Sequence, residues 1–266
     1  MAVENASAEH GFSVSVDNGI AHLTLERPQK LNAVTAAMWQ ALTTSLEELS
    51  ADERVRVVII SGDGGNFCAG ADIAEFETVR RDAHTARNYE ALNAASFSAI
   101  RNCAKPTIAM ISGVCFGGGF GLAASCDLRI AAPDARFAVP AAKLGLGYPV
   151  EAMADIVAST GAQMARYLTF SGARIDARRA LECGFLLEIV DMDSLVPRAR
   201  EIANSLAQAA PLSIRASKAS IAAALSGRPE DTIRAQELGD ITFESQDYAE
   251  GRAAFRERRP ARFIGK

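Results

Sequence analysis

The fold is decided by residues 105–128, which read KPTIAMISGVCFGGGFGLAASCDL. No charged residue lies between Lys105 and Asp127. The apolar length approaches that of a membrane helix, but a proline near its start and five glycines would specify such a helix poorly. We therefore predict a buried strand over residues 107–111, then a glycine-rich turn, and then a helix packed in the protein core.

The glycines of this turn predict a point where the backbone comes close to a ligand. Without a Cβ atom, a glycine can adopt positive φ and leaves room for a neighbouring group. Free N–H groups at the start of the following helix, together with the helix dipole, could hold an oxygen that gains negative charge. Tight packing of strand on helix is the simpler alternative. A phosphate cradle is another, although the G-x-G-x-x-G and G-K-[ST] patterns are absent here.

A second glycine-rich loop lies upstream. The apolar run of residues 55–60 is followed by residues 61–73, which read SGDGGNFCAGADI. This pattern predicts a second buried strand that ends in a loop of the same kind. Two strands therefore each lead into a glycine-rich loop.

At these loops the sequence resembles the crotonase superfamily, the enoyl-CoA hydratase/isomerase family. The motifs that carry the resemblance are Phe67–Ile73, Lys105-Pro106, Gly113, Gly117–Gly119, Cys126-Asp127, Phe137, Pro140, Leu144-Gly145 and Phe255–Phe263. They are spread over essentially the whole chain. The resemblance implies an α/β fold, with a crotonase-like ββα spiral core over residues 1–200 that holds the acyl-CoA site. A C-terminal helical trimerisation region would follow over residues 201–266.

Composition is compatible with a protein of this kind. A chain of 266 residues can bury a full core, and its 49% hydrophobic and 23% charged residues are typical of globular proteins. A net charge of −4 argues against a nucleic-acid-binding surface. Five cysteines without C-x-x-C spacing favour reduced thiols and a cytoplasmic location. We find neither a signal peptide nor a metal-binding motif, and we expect no membrane partner.

The rest of the chain divides into short strands and helices. After a polar N-terminal tail, Asn18-Gly19 between two β-prone runs predicts a hairpin, with His22 as a strand residue. A long helical region over residues 73–100 would carry His84 on its surface. Further helices are predicted over residues 35–49, 164–170, 176–183, 194–207, 212–225, 230–243 and 247–257, with one more beginning near residue 150 after a loop over 140–149. Strands are predicted over residues 12–16, 20–25, 128–131, 135–138 and 186–190, those at 128–131 and 135–138 in the same sheet system.

The resemblance also implies the chemistry. A thioester oxygen would lie between two backbone donors, the N–H groups of Ala71 and Gly118, which would stabilise an enolate. Coenzyme A would enter as part of the substrate, with no permanently bound cofactor. Its implied contacts are Lys30, Leu31, Ala33, Ala69, Ala71, Asp72 and Ile73. Phe263 and Lys266 would reach an adenine-ribose site, which could belong to a neighbouring subunit of a homotrimer or homohexamer. Arg27 and Lys30 could offset phosphate charge or be simply solvated.

The sequence departs from its family at two catalytic positions. Hydratases of the family carry glutamates where this chain has Gly121 and Ala141, and neither residue can transfer a proton. Tyr148 and Glu151, and with less support Lys143, are the candidates to replace them. The alternative for Tyr148 is a packed side chain with a satisfied hydroxyl. The implied substrate pocket is lined by Gly117, Gly121, Ala141 and Leu146.

Three functions therefore stay open. The first is an enoyl-CoA hydratase/isomerase-type enzyme with atypical acid and base residues. The second is a decarboxylase of malonyl-type acyl-CoAs. The spacing Leu144-Gly145-x-x-Tyr148 resembles the methylmalonyl-CoA decarboxylase branch, although that branch has a histidine where this chain has Ala71. The third is a non-catalytic acyl-CoA-binding protein. Both enzymes would act on an enolate held at the same oxyanion site.

Overall fold

The computed structural model describes residues 3–5 and 10–266, which form a mixed α/β fold with a helical C-terminal region. The strands are β1 (Val3–Asn5), β2 (Phe12–Asp17), β3 (Ile20–Leu25), β4 (Val57–Gly62), β5 (Thr107–Ile111), β6 (Val114–Phe116), β7 (Leu128–Ala131), β8 (Arg136–Ala138), β9 (Arg174–Asp176) and β10 (Glu188–Ile189). The helices are α1 (Ala36–Ala51), α2 (Phe76–Val79), α3 (Ala83–Arg101), α4 (Gly118–Ser125), α5 (Val150–Thr160), α6 (Ala162–Ser171), α7 (Ala177–Glu182), α8 (Met192–Gln208), α9 (Pro211–Ser226), α10 (Pro229–Phe243) and α11 (Gln246–Glu257).

The larger sheet has seven strands in the order β1-β2-β3-β4-β5-β7-β10. Strands β2 and β3 form the predicted antiparallel hairpin, whose turn residues Asn18 and Gly19 have φ of 50° and 81°. Positive φ at both positions is what a two-residue hairpin turn requires. From β3 onward the neighbouring strands run parallel. The carboxyl ends of β4 and β5 therefore lie at one edge of the sheet, as the two predicted glycine-rich loops need.

Helices cover both faces of this sheet. Alternate residues of β4 point to opposite sides, so that Val58 belongs to the core cluster with Trp39 and Phe97, whereas Val57 packs with Leu195 of α8. The predicted boundary between residues 200 and 201 falls inside α8, the helix that covers the second face. The division into two regions stays a prediction.

Three short strands form a second sheet, in the order β6-β8-β9, that the sequence did not predict. Strand β6 falls inside the predicted glycine-rich turn. The prediction that residues 135–138 share a sheet with residues 128–131 is wrong, because β8 pairs in parallel with β6 instead. Gly113, at φ 53°, turns the chain out of the larger sheet between β5 and β6. Strands of three residues carry no periodic signal that would reveal such a partner.

The predicted helical region over residues 73–100 is helical but divided into three pieces. A 3-10 turn over Ile73–Glu75 and the single turn of α2 come first, and α3 then begins after Asp82. The Asp82 carboxylate accepts the N–H of Thr85 at 2.9 Å, and the Thr85 hydroxyl accepts the N–H of Asp82 at 3.1 Å. This reciprocal capping box starts a new helix in the middle of the periodic pattern. A second 3-10 turn, Pro140–Leu144, occupies half of the predicted loop over residues 140–149.

The two ends of the chain complete the fold. Residues 3–5 of the predicted polar tail form β1, antiparallel to β2, whereas residues 1, 2 and 6–9 lie outside the described part. Helices α9, α10 and α11 match the predicted C-terminal helices and expose large apolar side chains. These are Ile221, Leu225, Ile233, Ile241, Phe243 and Phe255. Trimer formation stays a prediction. No helix within residues 3–5 and 10–266 has the length and hydrophobicity needed to cross a membrane.

Candidate active site

The loop after β4 lies against β6 and the start of α4. The N–H of Cys68 donates to the carbonyl of Val114 at 2.8 Å, and the N–H of Phe116 donates back to the carbonyl of Cys68 at 2.9 Å. These two bonds form an isolated parallel bridge between Cys68 and Cys115. The upstream glycine-rich loop is thereby attached to the strand that leads into the downstream one.

Gly70 lies at a close contact between the two loops. Its φ is +95°, and a Cβ atom there would lie 2.8 Å from both the Gly118 nitrogen and the Phe116 oxygen. Both contacts are with backbone atoms, which cannot swing away as a flexible side chain would. Only glycine fits this position, so Ala71 follows directly from a residue in contact with the N-terminus of α4.

Two backbone N–H groups face this junction without an acceptor among residues 3–5 and 10–266. The bridge from Val34 uses the carbonyl of Gly70 and the N–H of Asp72, at 2.8 and 2.9 Å, so the N–H of Ala71 between them points the other way. Gly118 is the first residue of α4, where a helical N–H has no partner within the helix. Ala71 and Gly118 are the residues whose N–H groups the resemblance implied as donors; the structure brings their loops together, and the donor role stays a prediction.

Aromatic side chains pack against the junction at Gly118. A Cβ atom on Gly118 would lie 3.0 Å from a ring carbon of Trp39. The Trp39 indole N–H donates to the hydroxyl of Tyr89 at 3.0 Å, and the ring of Phe97 stands edge-on to the indole at 5.6 Å. The wall behind Gly118 is therefore apolar, and its polar atoms are paired.

Tyr148 is half-buried beside the glycine-rich turn. Its hydroxyl donates to the carbonyl oxygen of Gly117 at 2.8 Å. A Cβ atom on Gly121 would lie 2.5 Å from the Phe97 ring and 2.9 Å from the Tyr148 hydroxyl. A phenol and a benzene ring thus fill the space that a side chain at position 121 would need. Burial raises the pKa of Tyr148, so its hydroxyl keeps its proton at neutral pH.

The other candidate acid and base residues lie further from the turn. Glu151 is exposed in the first turn of α5. Lys143 packs its side-chain carbons against Gly172 at the end of α6, where a Cβ atom would lie 3.0 Å from them. Ala141 and Leu146 are half-buried and joined by a hydrogen bond from the Leu146 N–H at 3.0 Å. Of the replacement candidates, only Tyr148 contacts the glycine-rich loop.

The predicted coenzyme A segments are tied together by an ion pair. The Arg27 guanidinium lies 2.9 Å from the Asp72 carboxylate and also donates to the carbonyl of Ala33 at 2.6 Å. Burial acts to raise the pKa of Asp72, but hydrogen bonds from Arg27 and the Ala74 N–H outweigh it and lower that pKa. Arg27 therefore joins these loops, whereas Lys30 is exposed on the 3-10 turn Pro28–Lys30, and its contact with a phosphate stays a prediction.

The surface around this ion pair is open. Leu31 and Ile73 are 43% and 61% exposed, so two apolar side chains flank the loop junction. Ala33 is buried and Ala69 is half-buried between the loops, where the Ala69 N–H donates to the carbonyl of Leu31 at 2.9 Å. The predicted residues of this group are thus neighbours in the fold, with Leu31 and Ile73 exposed and Ala33 and Asp72 buried.

The C-terminal tail lies at the other end of β4 within one chain. The guanidinium of Arg56, just before β4, donates to the carbonyl of Phe263 at 2.9 Å. The Asp247 carboxylate accepts the N–H groups of the two residues that follow Phe263 at 2.7 and 2.9 Å. Ala71 follows the opposite end of this six-residue strand, about 20 Å away. The role of Phe263 and Lys266 at an adenine-ribose site, within one chain or across two copies, stays a prediction.

Sequence reasoning missed the contribution of α3 to this region. Arg80 pairs with Glu90 at 2.5 Å, and its guanidinium stacks over the ring of Tyr89 at 4.9 Å. Burial raises the pKa of Glu90, although Arg80 acts against it. Asn93 is 5% exposed. The spacing of Tyr89, Asn93 and Phe97, four residues apart, was the available signal, since it places all three on one helix face.

Taken together, the fold and the junction define an α/β protein with two backbone donors at the edge of a parallel sheet. The family model for enoyl-CoA hydratase/isomerase matches residues 15–266. The chain belongs to the enoyl-CoA hydratase/isomerase family.

The sequence similarity to known proteins extends over nearly the whole chain. The sequence is 33% identical over 271 residues to a crotonyl-CoA hydratase of Syntrophomonas wolfei, with 100% of each chain covered. It is 30% identical over 243 residues to a short-chain-enoyl-CoA hydratase of Clostridium acetobutylicum, covering 90% of this chain and 92% of that protein. A crystal structure of an enoyl-CoA hydratase/isomerase family protein from Hyphomonas neptunium superposes with a TM-score of 0.92 at 34% identity, covering 98% and 100% of the two chains.

Proposed function

We propose that this protein binds an acyl-CoA thioester and stabilises its enolate between the N–H groups of Ala71 and Gly118. The observation that carries the proposal is the junction at Gly70, which joins two loops whose adjacent N–H groups have no acceptor within the described residues. Donors fixed by the fold need no reorganisation as charge develops on the thioester oxygen. One such donor is typically worth about 2.7–4 kcal/mol of transition-state stabilisation.

Coenzyme A would lie over the surface formed by Lys30, Leu31 and Ile73. The exposed apolar side chains suit the pantetheine arm, and the ammonium of Lys30 suits a phosphate. The acyl group would then pass the glycine-rich turn towards the wall of Trp39 and Phe97. The proposed pocket residues are Gly117, Gly121, Ala141 and Leu146.

The preferred reaction is that of the family, hydration or isomerisation of an enoyl-CoA, with an atypical acid–base group. Neither Gly121 nor Ala141 can transfer a proton, and the space beside Gly121 is filled by Phe97 and Tyr148. Glu151, in the first turn of α5, is the first carboxylate after the segment that carries Ala141 and Tyr148. We propose it as the acid–base residue, a role that contributes roughly 10² to 10⁴ in rate.

Decarboxylation of a malonyl-type acyl-CoA is the second candidate. The observation that favours it is the same lack of an acid at positions 121 and 141. Loss of carbon dioxide breaks the bond to the α-carbon and leaves its electron pair in the enolate, so no protein base is needed to start the reaction. The oxyanion donors alone would then carry most of the catalysis.

Incubation with crotonyl-CoA and with methylmalonyl-CoA, followed by product analysis, separates these reactions. Formation of 3-hydroxybutyryl-CoA supports hydration, and formation of propionyl-CoA supports decarboxylation. Calorimetric binding of both thioesters without turnover would favour an acyl-CoA-binding protein. Binding of neither thioester would refute the proposal as a whole.

A further inference from the structure

The two polar groups of the peptide unit between Gly117 and Gly118 have different roles. Its N–H is one of the two proposed oxyanion donors. Its carbonyl oxygen accepts the Tyr148 hydroxyl at 2.8 Å and the N–H of Gly121 at 3.1 Å. The side-chain bond is the shorter of the two. The carbonyl oxygen and the N–H of this planar unit point in opposite directions. A hydrogen bond to the carbonyl oxygen therefore also fixes the direction of the N–H.

This peptide needs such a restraint because glycine flanks it on both sides. Gly117 has φ 51° and ψ −118°, a conformation that residues with a Cβ atom rarely adopt. No atom lies within 4 Å of the place where its Cβ would be. Packing therefore does not hold Gly117. A rotation of the peptide about its two Cα atoms would turn the carbonyl oxygen, instead of the N–H, towards the thioester.

The preceding peptide is already fixed. The N–H of Gly117 donates to the carbonyl of Ala138 in β8 at 2.9 Å. The backbone is thus held by the hydrogen bond to β8 before the glycine pair and by the helical hydrogen bond of the Gly121 N–H after it. The Tyr148 hydroxyl is the side-chain contact on the peptide between them.

We propose that Tyr148 is a positioning residue, which orients and polarises the Gly117–Gly118 peptide so that the Gly118 N–H points at the thioester oxygen. This inference rests on the proposed function. A hydrogen bond accepted at a carbonyl draws electron density from the amide and makes the N–H of the same peptide a stronger donor. Tyr148 then acts on the substrate only through the backbone. It neither binds a substrate carboxylate nor transfers a proton.

Gly121 leaves room for the Tyr148 hydroxyl to make this hydrogen bond. The Tyr148 hydroxyl lies 2.9 Å from the place where a Cβ of residue 121 would be. An alanine at this position would displace the Phe97 ring, 2.5 Å from the same place, and would push the phenol away from the Gly117 carbonyl while leaving it chemically intact. Gly121→Ala and Tyr148→Phe should therefore weaken the same donor by two independent routes.

The test uses 4-(dimethylamino)cinnamoyl-CoA, whose absorption moves to longer wavelength when its thioester carbonyl is polarised. We expect the wild-type protein to bind this probe with such a red shift. Tyr148→Phe should bind it with a similar Kd but a smaller red shift, and Gly121→Ala should also show the smaller red shift. With a substrate that is turned over, kcat of Tyr148→Phe should fall roughly three- to tenfold, as expected for loss of one neutral hydrogen bond, with KM and the pH profile unchanged. Tyr167→Phe is the matched control, since Tyr167 is 53% exposed on α6.

The outcomes are separable. A Tyr148→Phe variant that loses turnover but keeps the full red shift would mean that the phenol acts on the substrate directly, which overturns the inference. An unchanged red shift and unchanged kcat in both variants would overturn it as well. If Tyr148→Phe does not fold, as judged by circular dichroism, Gly121→Ala decides alone. A wild-type protein that does not bind the probe would instead refute the proposed function.

Discussion

Replacing Gly118 by proline removes one proposed oxyanion donor without removing a side chain. Proline has no N–H, and the first position of a helix tolerates it, since that N–H has no helical partner. Gly118 is this first residue of α4. A residue before proline is restricted to extended conformations. The φ and ψ of Gly117, 51° and −118°, are the mirror image of the polyproline II region, which glycine adopts freely. Gly117 can therefore precede a proline without changing conformation.

The proline side chain introduces one unwanted contact, which Gly118→Ala shares. A Cβ atom here meets two ring carbons of Trp39 at 3.0 and 3.2 Å, so the ring must shift slightly in either variant. The ratio of the two variants therefore measures the loss of the N–H together with the ring carbon Cδ that takes the place of its hydrogen. Loss of one oxyanion donor costs about 10² to 10³ in kcat. We expect Gly118→Pro to be slower than Gly118→Ala by that factor.

The assay is steady-state turnover of the thioester that the wild-type protein converts, measured for both variants at equal folded concentration. Urea unfolding of each variant checks that the helix start is intact. A Gly118→Pro rate equal to that of Gly118→Ala would refute the assignment, because the N–H would then have no part in catalysis. Equal loss of activity in both would show that the Trp39 contact, not the donor, limits the reaction.

Three further predictions concern the loops and the acid–base group. Gly70→Ala should lower the free energy of unfolding by about 2 kcal/mol more than Gly65→Ala, because a Cβ on Gly65 meets no atom within 4 Å although its φ is also positive; equal urea midpoints would contradict this. Asp72→Asn should cost about 2 kcal/mol at neutral pH, since it breaks a largely buried ion pair with Arg27. Because the pKa of Asp72 is lowered on folding from 3.8, this difference should persist above pH 4 and vanish as the pH falls through the lowered value, in urea titrations; a difference that is independent of pH would be inconsistent with it. Glu151→Gln should lower kcat about 10²-fold or more, and unchanged turnover would remove Glu151 from the mechanism.

The elements that the sequence predicted best are those with a strong local signal. Asn18-Gly19 fixes the hairpin because both residues tolerate positive φ. The apolar runs before the two glycine-rich loops are long enough to read as buried strands, and the loops follow the carboxyl ends of neighbouring parallel strands. The position of the candidate site at that edge could therefore be predicted without knowing any contact.

The parts that the sequence did not predict depend on pairing between distant residues. Strand β6 has three residues and exists because β8, some twenty positions later, pairs with it. The break before α3 depends on Asp82 and Thr85, whose local signal competes with the apolar periodicity around it. The contact between Tyr148 and Gly117 joins residues 31 apart, so no sequence spacing indicates it. The sequence thus predicted local structure, but it did not predict which distant residues pair.

The side of the site from which a proton or a water can arrive follows from the contacts at Gly121. Phe97 and the Tyr148 hydroxyl occupy the space beside that glycine, and Trp39 lies behind Gly118, so under the proposed function rings would line these sides of the thioester. The residues from Ala141 to Glu151 are half-buried or exposed. Under the proposed function, an acid–base group that reaches the α- or β-carbon is expected on this segment, and Glu151 is preferred over the histidine at position 84, exposed on α3. If neither carbon is approached from there, the enolate can form only by loss of a substrate group, and decarboxylation becomes the chemistry that this arrangement of backbone donors supports.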